Sequence, residues 1–167
     1  IKPKNEFDLY INENIPYLIL KSIKNKKIKF IHLSSINVLY EDLKDIYTIS
    51  KRVAEKKILG KNLTLIRPNL IYSKTNGFSN QVIEGYLNIK LPIYPMIYPG
   101  NIYKPVEINN LCKFIIKIMM DEKNNEYNIF GEEQKNFYDL FNEYANYKQK
   151  KTIRINISII DKILNKK

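Results

Sequence analysis

The segment "KFIHLSSINVLYEDLKDIYTISKRVAEKKILGKNLTLIRP", residues 29–68, changes its hydrophobic period twice. It opens on "KFIHLSS", a short apolar run closing in small polar residues, which predicts a buried strand. Across residues 45–59, Ile46, Ile49, Val53, Ala54 and Ile58 fall on one stripe at helical spacing, and Gly60 ends that helix. "NLTLIRPNLIY" reads as a second buried strand. Two strands that are apolar throughout, joined by a helix, predict parallel pairing in a sheet covered on both faces.

On either side of this segment the element types keep alternating. "FDLYINENIPYLILKSIKN" carries Leu9, Ile11, Ile15, Leu18, Ile19 and Ile23 near helical spacing, and Pro16 places the helix start near Asn14. Downstream, Gly77, Pro92, Pro95, Pro99, Gly100 and Pro105 predict irregular structure on one side of the sheet. "IYKPVEI" is a candidate strand, and "NNLCKFIIKIMMDE" a helix capped by Asn109 or Asn110. "EYNIFG" is strand-like, "KNFYDLFNEYANYKQK" an amphipathic helix, "TIRINIS" a short strand and "IIDKILNKK" a last helical turn or two. The fold class is α/β.

At 167 residues the chain is expected to form one domain with a core, being too short for two full domains. No apolar run reaches the roughly 18 residues of a bilayer span, so no membrane partner is expected. The start lacks a signal-peptide core and an initiating methionine, and reads as that of a fragment. The single cysteine, Cys112, excludes an internal disulfide and fits a cytoplasmic protein; its apolar run predicts burial. The lone His32 lies in the first strand as a structural residue, and no metal site is expected. A net charge of +11 ordinarily suggests nucleic acid. Here Ile, Lys, Asn and Tyr make up more than half the chain, and the lysines are scattered apart from short clusters at residues 24–29 and 148–151. That pattern is a solvated surface, so no nucleic-acid partner is expected.

Tyr-x-x-x-Lys occurs six times, beginning at Tyr17, Tyr40, Tyr47, Tyr86, Tyr144 and Tyr147. On a helix this spacing puts phenol and ammonium on one face. Only Tyr47–Lys51 has Ser34 and Ser35 ending the strand before it and "RPNLIY" in the strand after it. Strand ends of this kind are where open α/β sheets bind ligands. A tyrosine of pKa about 10 is roughly 0.1% ionised at neutral pH. A nearby cation is expected to lower it by about 1–3 units, making a usable base.

These residues resemble the extended short-chain dehydrogenase/reductase family, the NAD-dependent epimerase/dehydratase type. "FIHLSSINVLY" is similar to its strand-Ser-Ser-x-x-Val-Tyr segment, "YTISKRVAE" to its Tyr-x-x-x-Lys-x-x-x-Glu helix, and "LIRPNLIY" to its Arg-Pro-x-x-Val-Tyr strand. "PVEINNL" and "YNIFG" resemble later segments in the family's order. The resemblance implies a partial doubly wound, Rossmann-like parallel sheet with a small C-terminal substrate-binding subdomain. Residues 1–72 would be the C-terminal half of the NAD(P)-binding domain. Residues 73–167 would hold the substrate subdomain, with a returning strand and helix of the core at about 102–131. It implies Tyr47 as catalytic acid/base and a cofactor contact, Lys51 as its electrostatic and cofactor-ribose partner, and Ser35 against the reacting oxygen. Ser35 rather than Ser34 lies three residues before Val38. Pro68 would meet the cofactor, NAD or NADP, and Asn69 with Ser35 the nucleotide-sugar substrate. Asn14 is a weaker match to the family's helix asparagine, with helix capping as its other reading. A homodimer through the Tyr47 helix is a further implication.

The departures bear on chemistry. The Asp-Glu that follows the serine or threonine in the dehydratase branch is Ile36-Asn37 here, which disfavours dehydration and leaves epimerisation or reduction. Tyr-Gly becomes Leu39-Tyr40, His becomes Glu107, and Asp-Asp becomes Asn109-Asn110. No two of Gly60, Gly77, Gly85, Gly100 and Gly131 form the Gly-x-x-Gly-x-x-Gly phosphate turn. The expectation is therefore a C-terminal portion that binds a dinucleotide poorly on its own. A non-catalytic or degenerate binding protein of the same fold is the alternative.

Overall fold

The strand–helix–strand segment folds as its periods require. The structure, a computed structural model, describes residue 3 and residues 5–23, 28–60, 63–73, 78–121 and 123–156. Strand β1 (Ile31–Leu33) leads through a 3-10 turn (Ile36–Leu39) into helix α2 (Ile46–Ile58), which returns to strand β2 (Thr64–Pro68). Asp45 caps α2 by accepting from the Thr48 N–H at 3.0 Å, and Gly60 leaves it at a φ of +73°. β1 pairs parallel with β2, His32 opposite Leu65, and β2 pairs parallel with β7 (Glu126–Ile129). The sheet order is β1-β2-β7. Ala54 and Ile58 of α2 and Leu65 and Ile66 of β2 are all buried within this unit.

The chain forms two compact units. One is Ile1–Asn69 with Phe114–Ile129, and the other is Leu70–Lys113 with Phe130–Lys167. In the first, helix α1 (Glu6–Ser22) packs on α2. It begins well before Asn14, contrary to the Pro16 reading. Asn5 caps it by accepting from the Asp8 N–H at 2.8 Å, and the packed face carries the helix through the one hydrogen bond that Pro16 cannot make.

The second unit corrects several sequence expectations. The Pro- and Gly-marked stretch contains helix α3 (Phe78–Leu87) and strand β4 (Tyr94–Tyr98), built around buried Ile83, Leu87 and Tyr94. "NLTLIRPNLIY" is not one strand, because the chain leaves the first sheet at Pro68. Ile71–Tyr72, strand β3, pairs instead with β6 (Val106–Glu107). "IYKPVEI" is likewise two strands. Ile102–Tyr103 (β5) pairs antiparallel with Lys135–Asn136 (β8), and the break before β6 falls at Lys104-Pro105, since proline donates no ladder bond. β4 pairs parallel with β9 (Thr152–Asn156), and α5 (Phe137–Tyr147) adds Phe141, Tyr144 and Ala145 to the Ile83–Tyr94 cluster. Gly131 is obligatory here: a Cβ there would lie 1.9 Å from the Pro105 carbonyl oxygen.

Helix α4 (Ile108–Met119) begins one residue before the predicted caps. Glu107 closes its end, its carboxylate accepting from the Asn110 N–H at 3.1 Å and the Asn109 side-chain amide at 3.0 Å. Cys112 is exposed, against the expectation of burial, because the helix turns Leu111 and Ile118 inward instead. The "IIDKILNKK" turn, Gly77 and residues 24–27 lie outside the described residues. Among those described, no helix is long and apolar enough to cross a membrane.

Candidate active site

The C-terminal edge of β1 and the first turns of α2 bring Ser35, Tyr47 and Lys51 into one neighbourhood. Ser35 is buried and caps the 3-10 turn, its hydroxyl accepting from the Asn37 N–H at 3.3 Å. Arg52 ties α2 to that connection, donating to the Val38 carbonyl at 3.1 Å and the Tyr40 carbonyl at 2.8 Å. With both ends tied, the Ser35 hydroxyl is held close enough to the Tyr47 phenol to act on it. The Lys51 ammonium lies 6.0 Å from the centre of the Tyr47 ring and donates to the Leu33 carbonyl at 3.2 Å.

The electrostatics differ from the sequence expectation. Burial pushes the Tyr47 phenol up, the nearby Ser35 hydroxyl pulls it down, and Asp45 pushes it up again, for a net rise. Lys51, 6.0 Å from the ring centre, is not among the groups that move the phenol. Burial lowers the Lys51 ammonium itself, against the opposing pull of Glu55.

Pro68 is buried at the end of β2, the strand next to β1, and the N–H of Asn69 donates to the Ile129 carbonyl at 2.8 Å. Both stand at the same sheet edge as Ser35, since the strands are parallel. Asn14 does not join them. Its amide donates to the Tyr10 carbonyl at 3.0 Å and accepts from the Lys57 ammonium at 2.7 Å, the surface pairing of a helix. The asparagine buried against α2 is Asn12, 3.4 Å from the Ser50 hydroxyl, whereas Asn14 meets α2 through the exposed Lys57. Two residues on, Asn14 is turned about 200° away.

One structural pair escaped the sequence reading. Arg67, in the middle of a buried strand, makes a forked contact with Glu55, at 2.7 Å from Nη2 to Oε2 and 3.0 Å from Nε to each carboxylate oxygen. Its Nη1 donates to Glu126 at 2.8 Å. Hydrogen bonds donated to Glu55 first of all hold the guanidinium firmly protonated. The signal was present in the sequence: a buried arginine needs a carboxylate, and Glu55 follows Lys51 by one turn on the same helix face.

His32 is buried on β1, and burial, aided by the charge of Lys51, lowers its pKa from 6.5 to about 4. The unfolded chain therefore binds the extra proton between those values, so stability is present above pH 6.5 and is lost as pH falls toward about 4. The loss expected over that window is about 3 kcal/mol, since each pH unit separating the two values is worth about 1.36 kcal/mol. Urea unfolding at a series of pH values checks it: the His32→Gln chain should lack this part of the slope, and parallel curves for the two chains would contradict it.

No family model matches the chain, and no curated protein matches it. Solved structures match it in fold. The crystal structure of UDP-glucuronic acid 4-epimerase from Bacillus cereus in complex with NAD has a TM-score of 0.69 at 18% identity, covering 93% of this chain and 59% of that one. dTDP-4-dehydrorhamnose reductase from Bacillus anthracis in complex with NADP has a TM-score of 0.71 at 12% identity, covering 90% and 59%. ADP-L-glycero-D-manno-heptose-6-epimerase from Helicobacter pylori has 0.65 at 18%, covering 90% and 56%. The chain therefore has the Rossmann-like α/β fold of these epimerase and reductase structures, and spans 56–59% of their length.

Proposed function

We propose that this chain is the catalytic C-terminal part of an NAD(P)-dependent nucleotide-sugar epimerase or reductase. The observation that carries the reading is the meeting of Ser35, Tyr47 and Lys51 at the carboxyl edge of a parallel sheet, within a fold shared with such enzymes. Lys51 suits the ribose end of a dinucleotide, because its half-buried ammonium has N–H groups beyond the one given to Leu33. Bound NAD or NADP supplies hydride acceptance and donation. Tyr47 holds or receives the proton of the sugar hydroxyl, Ser35 orients that oxygen, Pro68 borders the cofactor and Asn69 the sugar.

The exposed Leu18 and Ile19 of α1, with Ile46 and Ile49 of α2, support a homodimer through these helices. A cytoplasmic enzyme acting on a small soluble substrate, rather than on nucleic acid or a membrane, fits the scattered lysines. The raised phenol of Tyr47 favours the second reading, a non-catalytic relative that keeps the fold without turnover.

An intact form that includes a Gly-x-x-Gly-x-x-Gly half decides between them. Given a nucleotide 4-keto-sugar and C4-deuterated NADPH or NADH, a reductase transfers deuterium to the sugar and consumes dinucleotide. An epimerase inverts a sugar carbon with no net consumption. Neither outcome across a panel of nucleotide sugars would leave the non-catalytic reading standing.

A further inference from the structure

A second line of polar groups lies directly behind the reactive one. His32 Nε2, Ser34 Oγ and Thr48 Oγ1 are buried without a hydrogen-bond partner among the described residues. The residues are 6%, 4% and 0% exposed. An orphaned buried polar group is costly and rare in a folded protein, so three in one layer call for an occupant.

Their placement makes them neighbours. Alternate residues of β1 point to opposite faces. Ile31 and Leu33 line a groove with Ile115 and Met119 of α4, so His32 and Ser34 point the other way. That other face is the one covered by α2. The β1–β2 register puts His32 beside Leu65, and Arg67, two residues on, reaches Glu55 of α2. On α2, Thr48, Lys51 and Glu55 form one stripe, and Lys51 contacts the Leu33 carbonyl. Thr48, a turn before Lys51, thus lies over the end of β1 that carries Ser34. The charge of Lys51 is near enough to act on His32.

We infer that this layer is a buried water site, with one or two waters seated on His32 Nε2, Ser34 Oγ and Thr48 Oγ1. A water makes two to four hydrogen bonds and both donates and accepts, as do the two hydroxyls, so it satisfies either tautomer of a neutral imidazole. The water sets the depth at which α2 rests on β1. Ser34 and Thr48 adjoin Ser35 and Tyr47 in sequence, so the same spacing governs the contact between those two. Burial and strand register carry this site, independent of any enzymatic activity.

His32 is the only histidine of the chain, which makes the test unambiguous. In the 167-residue chain labelled with 15N-histidine, the imidazole should show cross-peaks to a long-lived water. Thr48→Val and Ser34→Ala should each weaken or abolish them and move the Nε2 resonance, while Thr48→Ser, which keeps the hydroxyl, should preserve them. Amide spectra confirm that each variant is folded; should either removal variant unfold, the parent chain and Thr48→Ser still decide. Absence of water cross-peaks in the parent would overturn the site. So would a crystal structure in which Nε2 bonds directly to Ser34 or Thr48 with no density in the layer.

Discussion

Replacing Tyr47 with phenylalanine is expected to lower turnover of the intact enzyme about 10²–10⁴-fold, the usual contribution of a positioned acid/base. The substitution removes one oxygen from a half-buried ring and leaves the α2 stripe intact. The unfolding midpoint should therefore hardly move, and the loss should fall on kcat. A pH profile adds a second readout. Because burial raises the Tyr47 phenol, the rate of the oxidative half-reaction should climb with pH toward that raised value, and the phenylalanine variant should lack the climb. An unchanged rate would remove Tyr47 from the chemistry and leave the non-catalytic reading.

Arg67→Met is expected to destabilise the first unit by about 3–5 kcal/mol, the cost of leaving a buried ion without its partner. The Arg67 side chain is 8% exposed and Glu55 11%, so the carboxylate left behind cannot recover its hydration by a small shift. Against a total stability of about 5–15 kcal/mol, this is enough to shift the urea midpoint far toward water. Joining it to Glu55→Leu should recover most of the loss, because an apolar pair of similar volume replaces a buried ion pair at little cost. Glu126→Gln, by contrast, touches a partner that is 55% exposed and should cost at most about 1 kcal/mol. Equal effects for the three variants in a double-mutant cycle would contradict this ranking.

Much of the first unit was legible because its signals are local. The apolar stripe of residues 45–59, the Asp45 cap and the Gly60 exit all act within a turn or two of the backbone. Ser35, Tyr47 and Lys51 could be singled out because a strand end and a helix start sit at fixed spacing around them. The elements misread share a different cause. Asn109 and Asn110 look like caps, yet Glu107 does the capping, since a carboxylate three residues before an N–H competes with any asparagine nearby. β3 and β6 left their predicted runs because Pro68 and Pro105 end one ladder and a distant strand supplies another.

Period, caps and proline are properties of adjacent residues, and from them alone follow the parallel strand–helix–strand unit and the row of residues along its edge. The electrostatics of that row came from the folded chain. Whether Tyr47 is raised or lowered, which asparagine is buried against α2, and which carboxylates hold Arg67 depend on what surrounds each group. Desolvation is set by packing from segments far along the chain, and no spacing within one segment encodes it.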